Sequence, residues 1–85
     1  NNQFYQTEHD ELFKSIRTSK PINNGEYMAK STMLAILGRM CTYTGQQITW
    51  EEAMSSKEVL APEKLAWDTP LDTPPVARPG VTKFV

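Results

Sequence analysis

The chain has little of most things that announce a function. Its single cysteine, Cys41, cannot close an internal disulfide and lacks the companions of a structural zinc site, so its expected role is packing. Nine Lys and Arg stand against ten Asp and Glu, a formal net charge of −1. That excludes the strongly basic footprint of a nucleic-acid binder, and no field of one sign steers a partner. No run of apolar residues reaches the length of a membrane span, and residues 1–6 carry neither the basic start nor the apolar core of a signal peptide. Glycine occurs only four times, and no GxGxxG, GxSxG, HExxH or CxxC spacing is present. With 85 residues, a chain of this size buries only roughly 60–65% of its unfolded surface. A large enzyme core is excluded, and one domain is the upper limit.

What is present reads as helix followed by proline. Thr7, with Asp10 three residues on, has the form of a capping box in which Asp replaces the usual Glu or Gln. Glu8 and Asp10 precede Arg17 and Lys20, the order the helix dipole favours. The first helix therefore starts at Thr7, carries Leu12, Phe13 and Ile16 as its apolar stripe, and closes at Lys20–Pro21. Asn23–Asn24–Gly25 reads as a turn. A second helix is expected over residues 26–44, ending at Gly45, which adopts the left-handed C′ conformation without a Cβ penalty. At 100° per residue, Ala29, Met33, Ile36, Leu37, Met40 and Cys41 form a broad apolar face, with Leu34 and Tyr43 at its margins. Ser31, Ala35, Gly38 and Thr42 form an opposite ridge of small side chains, where a solvated ridge would carry Glu, Lys or Gln. The expectation is a helix covered on two sides, with Ala35, Gly38 and Met40 as packing or interface positions. The rest of the chain has too few apolar residues to supply both covers.

Thr49 and Glu52 form the strongest local signal, a capping box opening a short helix over residues 50–56. Ile48 is placed to staple against Ala53, and Trp50 shares a face with Met54. Five of the six prolines then fall at positions 62, 70, 74, 75 and 79, a density that neither helix nor central strand tolerates. Leu65, Trp67, Leu71, Val76, Val81, Phe84 and Val85 recur along this stretch. It reads as an extended arm docking through those anchors, with a turn at Pro79–Gly80. Residues 1–61 are thus a helical segment and 62–85 a Pro-rich arm; the isolated chain is mainly α, with two longer helices and one short one.

Candidate chemistry is sparse. Two roles stand open for His9, close to the Leu12–Ile16 face: capping or hydrogen bonding at a domain surface, or the substrate side of a site. Catalysis would require a second group to orient it or exchange its proton, and the sequence identifies none. Glu51 and Glu52 point about 100° apart on a helix, and Glu52 already serves the cap. Trp50 and Trp67, which bracket the short helix and the arm, are packing or interface anchors in preference to ligand-stacking platforms. No residue is assigned a catalytic, cofactor-binding or metal-binding role.

The runs ELFKSIRTSKPINNG at residues 11–25, AKSTMLAILGRM at 29–40 and YTG at 43–45 resemble the C-terminal part of the Gfo/Idh/MocA family of NAD(P)-dependent oxidoreductases. The run ITWEEAM at 48–54 and the Trp67 arm through PPVARPG at 74–80 resemble the closing segment of a bacterial subgroup of that family. The resemblance covers about residues 6–80. It implies a parent with an N-terminal Rossmann domain for NAD or NADP and a C-terminal α/β domain forming the substrate pocket. Such enzymes transfer hydride between a nicotinamide and a hydroxyl-bearing carbon of a sugar or cyclitol. Glu63–Lys64 lacks the context of the family's catalytic lysine, and His9 does not match its catalytic histidine. The expected role is a non-catalytic C-terminal segment bracing the substrate domain, in the bacterial cytoplasm or periplasm. Its partners would be the remainder of the parent and a homo-oligomer, with no nucleic acid or membrane. A free-standing helical protein–protein interaction module is the alternative.

Overall fold

A computed structural model describes residues 3–85. It contains α1 (Phe4–Arg17), α2 (Gly25–Thr44) and α3 (Trp50–Met54), and no strand among the described residues. The mainly helical reading holds. Contacts divide the chain into two compact units, Asn1–Lys30 and Ser31–Val85.

In the first unit α1 begins at Phe4, three residues before the expected start, and its N-cap makes no side-chain hydrogen bond. The Thr7–Asp10 box does not form. The Thr7 amide donates to the Gln3 carbonyl at 3.0 Å, and Asp10 instead accepts from Gln6 Nε2 at 2.8 Å. An extra turn of backbone hydrogen bonds thus replaces a weak Asp-based cap. The C-terminus also falls earlier than Lys20–Pro21. Ser19 takes φ +54°, Lys20 N–H donates to Ser15 O at 3.0 Å and Ser19 N–H to Ile16 O at 3.2 Å. These are the paired bonds of a Schellman ending, with serine in the position glycine usually holds. Pro21 keeps Lys20 out of the helix, so the left-handed residue lies just ahead of it. Ser15 is the one buried residue of α1, its hydroxyl donating to Leu12 O at 2.7 Å. Leu12, Phe13 and Ile16, the expected stripe, are all about half exposed or more. In the turn before α2, Asn23 Oδ1 accepts from Gly25 N–H at 2.9 Å.

The second unit holds the core. Met40, Ile48 and Ala53 are buried, with Met33, Ile36, Leu37, Cys41 and Phe84 packed against them. The apolar face read from the sequence of α2 is therefore its packed face from Met33 to Cys41, while Ala29, Leu34 and the ridge of Ser31, Ala35, Gly38 and Thr42 lie exposed. α2 stops at Gly45 as expected: φ is +67° and its N–H reaches Cys41 O at 2.9 Å. Thr44 is buried, its hydroxyl donating to Met40 O at 2.8 Å.

The Thr49–Glu52 box forms in both directions: Glu52 N–H donates to Thr49 Oγ1 at 3.2 Å and Thr49 N–H to Glu52 Oε2 at 2.7 Å. Ile48 and Ala53 meet in the core, as the staple requires. α3 ends at Met54, short of residue 56, with Ser55 N–H shared between the carbonyls of Glu51 and Glu52. Beyond it the chain is irregular to the turn at Pro79–Gly80, where Gly80 (φ +81°) donates its N–H to Thr44 O at 2.9 Å. The final residues return to the core: Phe84 packs on it and Val85 O accepts from the Ser56 hydroxyl at 2.5 Å.

Candidate functional site

The most organised group of polar side chains lies at the C-terminal end of α2. Arg39 is the one charged residue of α2 beyond Lys30. Its Nη1 and Nη2 donate to Glu58 Oε1 and Oε2 at 3.3 and 2.5 Å, and its guanidinium lies 5.5 Å from the centre of the Tyr43 ring. The side chains of the pair are about 30% exposed. Hydrogen bonding to Glu58 raises the Arg39 pKa above its ordinary value, against the opposing effect of burial; the charge of Glu58 and the proximity of Tyr43 add to the rise. Around the pair, Met40, Ser56, Phe84 and Val85 complete a small hollow.

The charges of Arg39 and Glu58 face each other, the Ser56 hydroxyl donates to Val85 O, and Lys83 is the third charged residue of the lining, which contains no imidazole or thiol. A serine nucleophile needs a base within hydrogen-bond reach. The arrangement ties residues 56–58 and 82–85 to the end of α2.

The positions singled out in the sequence do not converge. His9 is exposed on α1 with Nδ1 2.8 Å from the Tyr5 carbonyl, four residues back. That contact uses one ring nitrogen as a donor to its own helix. Met40 is buried in the core and Trp50 is half-buried, whereas Ala35 and Gly38 are exposed. A Cβ built on Gly38 meets nothing within 4 Å. Trp67 is wholly exposed, and the other arm anchors Leu65, Leu71 and Val76 are each more than three-quarters exposed; only Phe84 packs on the core. Glu52 serves the cap and Glu51 is exposed. Cys41 is half-buried against the core.

The Arg39–Glu58 pair is what the sequence reading missed. A lone arginine on an otherwise uncharged stretch of helix was the available signal, because a guanidinium partly withdrawn from water requires a carboxylate to approach it.

Among the described residues no three His, Cys, Asp or Glu side chains gather as a metal-binding group, and no helix is long and apolar enough to cross a membrane. Comparison with protein-family models, with curated proteins and with solved structures gives no match.

Proposed function

We propose that this chain is a non-catalytic C-terminal structural segment of an NAD(P)-dependent sugar or cyclitol oxidoreductase of the Gfo/Idh/MocA type. On this reading its helices brace the substrate domain of the parent and contribute to subunit contacts. NAD or NADP is held by the Rossmann domain of the parent, and this segment alone binds no nucleotide and transfers no hydride. Its partners are the rest of the parent and a second subunit; nucleic acid and membrane are not among them.

The observation that carries the reading is the imbalance between core and surface. Among the described residues three apolar side chains are buried, while nineteen large apolar residues are exposed, including Leu12, Phe13 and Ile16 on α1 and Leu34 on α2. Surfaces of that kind are expected on helices whose covering sheet lies elsewhere in the parent. The order of sequence runs from residue 11 to residue 80, which resembles that of the family, supports the family reading.

The test is the coding sequence upstream of Asn1, followed by nucleotide binding to the full-length product. A glycine fingerprint after a strand, and NADH fluorescence enhanced on mixing, are the expected results. An upstream region without that fingerprint sinks the reading and leaves the interaction module in its place.

A further inference from the structure

Residues 69–79 combine three properties that together point to a partner. The first is conformational. Seven of these eleven residues are proline or the residue before one: Thr69, Pro70, Thr73, Pro74, Pro75, Arg78 and Pro79. Proline fixes φ near −65° and pushes its predecessor to extended geometry, so this stretch is biased to the polyproline II helix. In the structure, residues 69–78 contain no helix, strand, turn or bend. No backbone N–H or C=O of residues 70–77 pairs with another backbone group.

The second property is periodicity. A polyproline II helix repeats every three residues. One edge is then Pro70, Thr73, Val76 and Pro79, and the next is Leu71, Pro74 and Ala77. Both charges, Asp72 and Arg78, fall with Pro75 on the third edge. Two adjacent edges are thus free of charge, and Leu71 and Val76 on them are 77% and 88% exposed.

The third property is anchorage at both ends. On the N-terminal side, Ala66 N–H donates to Thr69 Oγ1 at 2.9 Å, Thr69 Oγ1 donates to Lys64 O at 3.0 Å, and Thr69 N–H reaches Ala66 O at 3.2 Å. This turn presents the wholly exposed Trp67. On the other side, Arg78 N–H donates to Thr82 Oγ1 at 2.8 Å and Gly80 N–H to Thr44 O at 2.9 Å. A segment held at both ends has less conformational entropy to lose on binding.

We propose that residues 69–79 are a polyproline II ligand, docking by Pro70, Thr73 and Val76 on one edge and Leu71 and Pro74 on its neighbour into a protein groove lined by aromatic rings, while Pro79 lies against Gly45 and Ala77 is half-buried. Flat rings match Pro70, Thr73 and Val76, which follow one another at about 9 Å, the length of one turn. Ring hydroxyl and indole donors in such a groove satisfy the open carbonyls between them. Trp67 extends the contact at one end, with the large rigid apolar surface common among interface hot spots. This inference goes beyond the oxidoreductase reading and does not depend on it.

The probes are an isolated SH3 domain and an isolated WW domain, each titrated into the isotopically labelled 85-residue chain while amide shifts are followed. Saturable shifts confined to residues 67–79 are expected with at least one probe. Val76→Asp, at an exposed position, is expected to weaken binding about tenfold or more while leaving shifts elsewhere in the chain unchanged. Asp72→Asn, on the third edge, is expected to bind as the parent sequence does. No shift with either probe overturns the proposal. So does equal weakening by both substitutions, which would mark charge and not edge as the determinant. Shifts in 67–79 that track the concentration of the chain itself, without a probe, would assign the surface to a second copy and overturn it too.

Discussion

Gly45 meets two demands that no other residue satisfies together. Its φ of +67° is left-handed, and a Cβ built there would stand 2.8 Å from the Gly80 nitrogen and 3.3 Å from the Pro79 carbonyl carbon. Gly45→Ala is therefore expected to cost about 2 kcal/mol or more, since backbone strain and a clash with main chain act together; amide exchange at residues 40–54 should accelerate accordingly. Ser19 presents the opposite case, a left-handed residue (φ +54°) that is not glycine. Ser19→Gly should stabilise the end of α1 by about 0.5–1 kcal/mol, read as slower exchange at Lys20 N–H. For Arg39 and Glu58, a double-mutant cycle with alanine is expected to give a coupling of about 0.5–1 kcal/mol, the magnitude of a bidentate pair still in contact with water. Because folding raises the Arg39 pKa, its contribution is complete below the unfolded value and is lost only as pH climbs through the folded one. Both lie in strong alkali, so the coupling should be unchanged between about pH 7 and pH 10.

At the scale of the element, the three helices differ in what holds them. α3 has five residues, too few to persist by propensity, and depends on its reciprocal cap and on Ala53 in the core. Thr49→Ala should cost about 1 kcal/mol and be visible as loss of helical shifts at Glu51–Ala53, while Glu52→Gln, which keeps an acceptor, should cost less. Its start was legible from five consecutive letters because both cap partners are local. The C-terminus of α2 was equally legible, since only glycine reaches the required φ without strain. The ends of α1 were not. Thr7 and Asp10 resembled a cap, but the choice between a cap at Thr7 and one more turn back to Phe4 is a contest of fractions of a kcal/mol. At the other end, a serine in a glycine's place hid the Schellman turn. The Arg39–Glu58 pair, nineteen residues apart, and the return of Phe84 to the core depend on the path of an irregular segment that no period describes.

At the scale of the whole molecule, the packed apolar cluster belongs entirely to residues 31–85. The isolated chain is accordingly expected to show slow amide exchange around Met40, Ile48 and Ala53 and fast exchange throughout α1, whose one buried residue is Ser15. A uniform profile across α1 and α2 would contradict this. The sequence reading anticipated a helix needing two covers; the structure supplies one, from residues of α2 itself together with Ile48, Ala53 and Phe84, and leaves the ridge at Ala35 and Gly38 bare. The bond from Gly80 N–H to Thr44 O carries a consequence in time. During synthesis the chain emerges from its N-terminus, and α2 leaves the ribosome long before residues 80–85 do. Until they emerge, Thr44 O lacks its partner, Ser56 has no carbonyl to meet and Phe84 cannot seal the core. A nascent chain stalled with those residues still in the exit tunnel would display a frayed α2 terminus and an open cluster to chaperones and proteases, and emergence of residues 80–85 would withdraw that signal.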